Sequence, residues 1–301
     1  MNSILKILAL SLVIVFSSCI NDSITDCPPL KIKVVVKDKN YFNIDFIDLI
    51  SPKDEDLPFG EYIPTLSYAL IDRVSGKVVD SATIKTSNLV DNHFDLQFGS
   101  RIGYGSYRLS VWGGHEDDSR LSKGFKDMAL HTVIGSGSDI YLSTKEIDYT
   151  PATDQHQMEM QRIKGKLLVY VENLPSKYKY IRSKISGVYG KVTTLLEYSE
   201  EANVEAIHSI NPEFSCLAKV HVAPSLKIDQ SKLSLDLLED NSVLRNENPL
   251  SENILDGLPL AIKRNEITAI KIVYKGEPDG NHRLLALIDN SWEQIHNSEI
   301  D

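Results

Sequence analysis

The sequence has 301 residues, of which 42% are apolar and 25% charged, so it can build packed cores and is not a disordered stalk. Its formal net charge is −10, from 42 acidic and 32 basic side chains. That balance argues against nucleic-acid binding, which rewards clustered Lys and Arg, and against the whole chain lying flat on anionic lipid. The length predicts two domains, at about 100–200 residues each.

Residues 1–18 have the three parts of an export signal. Lys6 supplies the positive charge, Ile7 to Phe16 is apolar apart from Ser11, and small Ser17 and Ser18 precede Cys19. The apolar run is too short to span a bilayer, which takes about 20 residues. Phe16-Ser17-Ser18-Cys19 resembles the lipobox of bacterial lipoproteins, with Phe16 where Leu or Val is usual. The resemblance implies cleavage before Cys19 and acylation of its thiol. Each buried CH₂ is worth about 0.8 kcal/mol, and two or three acyl chains hold stably where one does not. Ile20 is not the Asp that marks inner-membrane retention, which favours the outer membrane. Residues 19–29 are polar, end in Pro28-Pro29 and read as a tether.

Strand patterns then begin. Ile32, Val34 and Val36 share one face, with Lys31, Lys33 and Lys37 on or beside the other. Tyr68 and Leu70 open a strand, Ser75-Gly76 reads as a turn, and Lys77-Val78-Val79 follows it. Phe94, Leu96 and Phe98 alternate, as do Tyr107, Leu109 and Val111 against Ser106, Arg108 and Ser110, and Gly113-Gly114 ends that strand. The polar stretch 145–157, with Pro151, reads as a hinge. Beyond it, Leu167, Val169 and Val171, then Ile181 and Ile185 before a Gly187–Gly190 turn, continue the pattern. Cys216 to Val222, Leu233 to Leu237, Ile270 to Tyr274 and Leu284 to Ile288 complete it, with a turn at Gly276–Gly280 and a short helix near 253–258. These readings predict an all-β chain: a signal peptide at 1–18, a tether at 19–29, and tandem β-sandwich domains at 30–150 and 151–301.

Chemistry is sparse. The eight histidines form no close ligand pair, and Cys27 and Cys216 sit in different predicted domains, where a disulfide is the less favoured reading. His115-Glu116-Asp117-Asp118 is the densest polar cluster. It lacks the spaced acidic repeat of a Ca²⁺ loop and reads better as a hairpin tip. Gly135-Ser136-Gly137-Ser138 lacks the following Gly-Lys-Ser/Thr of a phosphate loop. Trp112 and Trp292 suit core positions better than a glycan-stacking platform. Neither an enzyme site nor a cofactor is expected.

Four segments resemble the fimbrillin-A-associated anchor proteins, lipoprotein subunits at the base of type V fimbriae. They are Cys19-Ile20-Asn21-Asp22 with Asp26-Cys27-Pro28, then Gly105 to Gly113 (GSYRLSVWG), then Met160-Gln161-Arg162 leading to Asn173-Leu174-Pro175, and finally Asn290-Ser291-Trp292. The resemblance implies two transthyretin-like sandwiches, a fimbrial shaft subunit as partner, and a surface-exposed role on the outer membrane in attaching the shaft and ending its growth. A surface glycan-binding lipoprotein and a fimbrial tip adhesin are the alternatives. Replacing Cys19 with Ala removes the acylation site, so the protein should move from the membrane to the soluble fraction. An unchanged membrane-bound yield would rule out the lipoprotein reading.

Overall fold

The computed structural model describes residues 27–115, 120–132, 134–135, 137–211, 213, 215–228, 230–240, 251–274, 282–288 and 291–298, with 251 and the last two segments described by backbone alone. The chain is nearly all β, and its strands pack as sandwiches. In β1 (Lys31–Val36) the expected alternation holds: Ile32, Val34 and Val36 are buried, Lys31 and Lys33 exposed.

β1 shares a seven-stranded sheet with β2 (Thr65–Asp72), β3 (Val78–Lys85), β4 (His93–Gln97), β5 (Gly105–Gly113), β7 (Tyr141–Tyr149) and β8 (Gln155–Arg162). The short β6 (Asp127–Ala129) pairs elsewhere. The order is β3-β2-β5-β7-β8-β1-β4, antiparallel except where β1 runs parallel to β8. β7 and β8 pair at Tyr141–Arg162 and Leu142–Gln161 alone, so the sheet folds along that line into two layers. Leu66, Leu70, Leu109 and Val111 from one layer meet Ile32, Val34, Met158 and Met160 from the other in the first core.

The later strands form two further sheets. β10 (Tyr180–Thr193), β11 (Tyr198–Ser209), β13 (Ser231–Leu238) and β14 (Ser251–Leu260) run in the order β11-β10-β13-β14, with β6 added to the far end of β10. β9 (Gly165–Glu172), β12 (Cys216–Val222), β15 (Ile267–Tyr274), β16 (His282–Ile288) and β17 (Ser291–Ser298) run in the order β12-β9-β15-β16-β17. Between them lies the second core, built on Leu167, Val169, Ile181, Val220, Leu235 and Ile272. Leu109 and Leu167 therefore belong to different cores.

The structure corrects three sequence expectations. Residues 145–157 are not a hinge but most of the β7–β8 hairpin of the first sheet. Their polar composition belongs to the outer face, while Ile147 and Tyr149, with Met158 just beyond, point into the core. Gly187–Gly190 is not a turn. β10 runs through it with a bulge between Ile185 and Val188, where Gly187 takes φ +71°. Residues 253–258 are strand, inside β14, because pairing with β13 outweighs local preference. The turn expected at Gly276–Gly280 lies outside the described residues.

Two smaller apolar clusters join the first sheet to the later ones. Trp112, Met128, Leu142 and Ile163 pack with Val192 and Ala223. Tyr41, Ile44 and Ile47 pack with Leu168, Ile267 and Ala269. Beside them Arg162 is buried, yet every N–H of its guanidinium has an acceptor. Nε donates to both oxygens of Asp139 at 2.9 Å. Nη1 donates to the Asn40 carbonyl and Asn265 Oδ1, and Nη2 to the Lys39 carbonyl and the Tyr141 hydroxyl. The Tyr41 ring lies 4.1 Å from the guanidinium carbon. Arg162 is 2% exposed and Asp139 24%, so Arg162→Ala strands a partly hydrated carboxylate and costs at most about 3–5 kcal/mol, the cost of breaking a fully buried pair. Urea unfolding should show that loss, whereas a change like that of an exposed arginine, such as Arg101→Ala, would show that the pair is not a structural keystone.

Candidate functional site

Two features of the first sheet bear on attachment: the end where the chain arrives from Cys19, and the seam between its edge strands. At the first, Tyr149 donates its hydroxyl to the Pro28 carbonyl, and the Lys31 and Phe98 amides donate to the Asp154 and Leu30 carbonyls. Cys27 packs at the rim of the first core. The Tyr104 ring lies against Tyr149, with centroids 4.8 Å apart. Cys19 itself lies outside the described residues.

The seam follows from the fold-over at β7 and β8. β3 and β4 end the strand order, one in each layer. Neither has a second partner among the described residues, so each keeps a row of unpaired backbone groups. Ala82, Ile84, Leu89 and Phe94 are only partly buried along this seam. One end is plugged by a single helical turn, α1 (Phe59–Tyr62), whose first amide donates to the Asp91 carbonyl. Thr86 holds the plug by donating its hydroxyl to the Ile63 carbonyl. Along β3 the exposed side chains include Val79, Ser81, Thr83 and Lys85.

Two surface hollows lie elsewhere. One, of about 350 Å³, is lined by Arg108, Thr144, Glu146, Glu159, Gln161 and the Thr194–Leu196 turn. The other, of about 640 Å³, lies on β10, β11 and β13 between Lys184, Asn203, Glu205, Lys232 and Ser234. Neither lining contains an aromatic ring for a sugar to stack on. Arg182 and Lys184 beside the second hollow pair with Asp236. Burial alone would raise the Asp236 carboxyl, but hydrogen bonds from Asn253, Arg182 and Lys184 hold it below the usual range.

Trp112 is fully buried with its indole N–H donating to the Phe125 carbonyl, and the Trp292 side chain lies outside the described part. His115 is buried against Ser67 Oγ at 2.9 Å, while Glu116, Asp117 and Asp118 lie outside the described residues. Among the described residues no three His, Cys, Asp or Glu groups converge as metal ligands. Cys27 and Cys216 are free thiols, the second buried and its thiol pushed up to about 11 by that burial. The glycine motifs serve packing. A side chain on Gly114, at φ +82°, would meet the Asp139 carbonyl, and one on Gly137, at φ +67°, would press on the His221 carbonyl. The latter glycine lets its loop approach His221 closely. The Ala223 amide donates to His131 Nε2 at 3.3 Å, and His221 Nδ1 lies 3.2 Å from the Gly137 carbonyl.

No protein-family model matches the sequence, and no curated relative matches it. Solved structures do match. A Bacteroides ovatus protein described as an adhesin shares 14% identity at TM-score 0.54, over 92% of this chain and 97% of that one. A Bacteroides thetaiotaomicron protein described as polysaccharide-binding shares 11% identity at TM-score 0.50, over 88% and 98%. The chain shares the fold of these proteins. The structural neighbours also include the fimbrial anchor protein Mfa2 from Porphyromonas gingivalis, at 12% identity and TM-score 0.46 over 90% and 100%.

The half-buried histidines His131 and His221 set a pH dependence. Burial, with Lys164 and Arg120 nearby, pushes His131 down to about 2, and burial pushes His221 down to about 4 despite Asp139. Unfolded histidine titrates near about 6.5, so below that pH the unfolded chain binds protons that the folded chain refuses. Stability from these groups is complete above about pH 6.5 and declines below it, down to about pH 4 for His221 and about pH 2 for His131. The urea midpoint should fall between pH 7 and 5, with a shallower fall in His131→Gln. A flat midpoint in the unsubstituted protein would contradict this assignment.

Proposed function

We propose that this chain is a lipid-anchored fimbrial subunit that attaches a fimbrial shaft to the outer membrane and limits its length. Lipid on Cys19 fixes the base, and two tandem β-sandwich units, meeting between β8 and β9, stand above it. A strand of the shaft subunit adds to an exposed sheet edge by main-chain hydrogen bonding. The observation that carries this reading is β3, an eight-residue edge strand over a partly covered apolar seam. The leader with Cys19, the four motif segments and the fold shared with adhesin-described proteins support it.

The physical basis for length control is that a polymer built by strand addition grows while its end offers a free edge. An anchor that occupies that edge stops growth and holds the polymer. Deleting the gene should therefore give longer fimbriae that shed into the medium. A tip adhesin would leave length and attachment unchanged but weaken target binding. A glycan-capturing lipoprotein would change growth on one glycan and neither fimbrial property. Normal length with no shedding in the deletion strain would remove the anchor function.

A further inference from the structure

We infer that the end of the first sheet where the chain arrives is a membrane-contact surface, with the lipid bilayer itself as its partner. This inference rests on the anchor reading of Cys19 and adds how the domain sits. Four segments meet at that end. The β2–β3 turn is placed there by the pairing of Asp72 with Tyr107 and by the Arg73 amide donating to the Ser106 carbonyl. Residues 98–104 join through the Tyr107 hydroxyl, which donates to the Gly103 carbonyl at 2.7 Å. The β7–β8 turn joins through the pairing of Gly105 with Tyr149, and the arriving chain through Tyr149 and Pro28.

The surface they form has two unusual properties. It exposes apolar groups: Val74 at the tip of the turn is 91% exposed, Val79 43% and Tyr104 40%. It is also charge-balanced: Lys31, Lys77, Arg101 and Arg73, the last paired with Glu146, stand against Asp72, Glu146, Asp148 and Asp154, in a chain of net charge −10. An apolar tip, an aromatic ring with a polar end and flanking cations are the composition that enters a headgroup region. The acidic balance of the whole chain opposes lying flat, but it does not oppose standing on this end.

Chain length commits the surface to that partner. Seven residues lie between Cys19 and Cys27, eight Cα-to-Cα steps in all. Fully extended, those steps reach at most about 29 Å, so lipid on Cys19 holds this end of the sheet near the bilayer. A contact made within such a tether is effectively intramolecular, so even weak insertion is populated. The opposite end of the first sheet supplies an internal control. Val90 is 86% exposed in the loop between β3 and β4, at the end where Lys85 pairs with Thr65.

The test uses the full-length lipidated protein, carrying either Val74→Trp or Val90→Trp, in phospholipid vesicles with brominated acyl chains. The expected result is loss of the emission added by Val74→Trp and retention of that added by Val90→Trp. Equal emission from both in protein that co-floats with the vesicles would overturn the contact while leaving the anchor reading intact. Protein that fails to co-float, in the way Cys19→Ala should, would overturn both. A concentration-dependent blue shift of Val74→Trp without lipid would assign the surface to a second copy of the chain and overturn the contact.

Discussion

A buried guanidinium can be tolerated only if all five of its donors find acceptors and its charge finds a partner. Arg162 meets that demand by drawing in three separate segments. Asp139 and Tyr141 come from the start of β7, Lys39 and Asn40 from the excursion after β1, and Asn265 from the turn before β15. Its own backbone amide donates to Asp38 Oδ2. Asp139 would be raised by burial, yet Arg162, with His221 and Lys166, holds it below the usual carboxylate range, so the pair is charged. None of these segments can move far without stranding a charge. The Trp112 and Tyr41 clusters then close around a geometry that the ion pair has set, and two distinct cores are held by one polar joint.

How much of this the sequence reveals depends on how each strand is buried. β1, β5, β9 and β12 have one apolar and one more polar face, and their period of two is plain in Ile32-Val34-Val36 or Tyr107-Leu109-Val111. β11 escaped sequence reading because it is an edge strand that buries only Val204 and Ala206, so its twelve residues look like a polar loop. β7 and β8 escaped for a related reason. They carry Lys145, Glu146, Asp148 and Glu159 outward, and a composition window averages those charges over the core residues. Arg162 was quoted as part of a motif, but its role was invisible. Its acceptors lie from 21 to 124 residues away in sequence, and no local pattern encodes a contact of that range.

The seam was illegible for a different reason. An edge is a property of strand order, and strand order is fixed by non-local pairing. Once β7 and β8 pair at two positions and then diverge, the first sheet must leave β3 and β4 as its ends. The chain manages that liability with several devices. β4 has five residues, and a register shift between Leu70 and Ile71 twists the β2–β3 pair. α1 covers one end of the seam. These features discourage indiscriminate edge pairing but leave most of β3 open, as the proposed strand addition would require.

The same geometry constrains how load would travel through an anchored subunit. The arriving chain is fastened to the first sheet by main-chain bonds at Lys31 and Phe98, and β1 continues inward between β8 and β4. A pull along the tether therefore shears a ladder on both sides of β1 and does not peel a terminal strand. β8 carries that load to Arg162, whose ion pair and carbonyl contacts distribute it to β7 and to the turn before β15. Many hydrogen bonds must stretch together before any one yields. That arrangement suits a protein held at one end by lipid and engaged elsewhere by a polymer, and it follows from placing a parallel β1–β8 pair directly between the tether and the buried arginine.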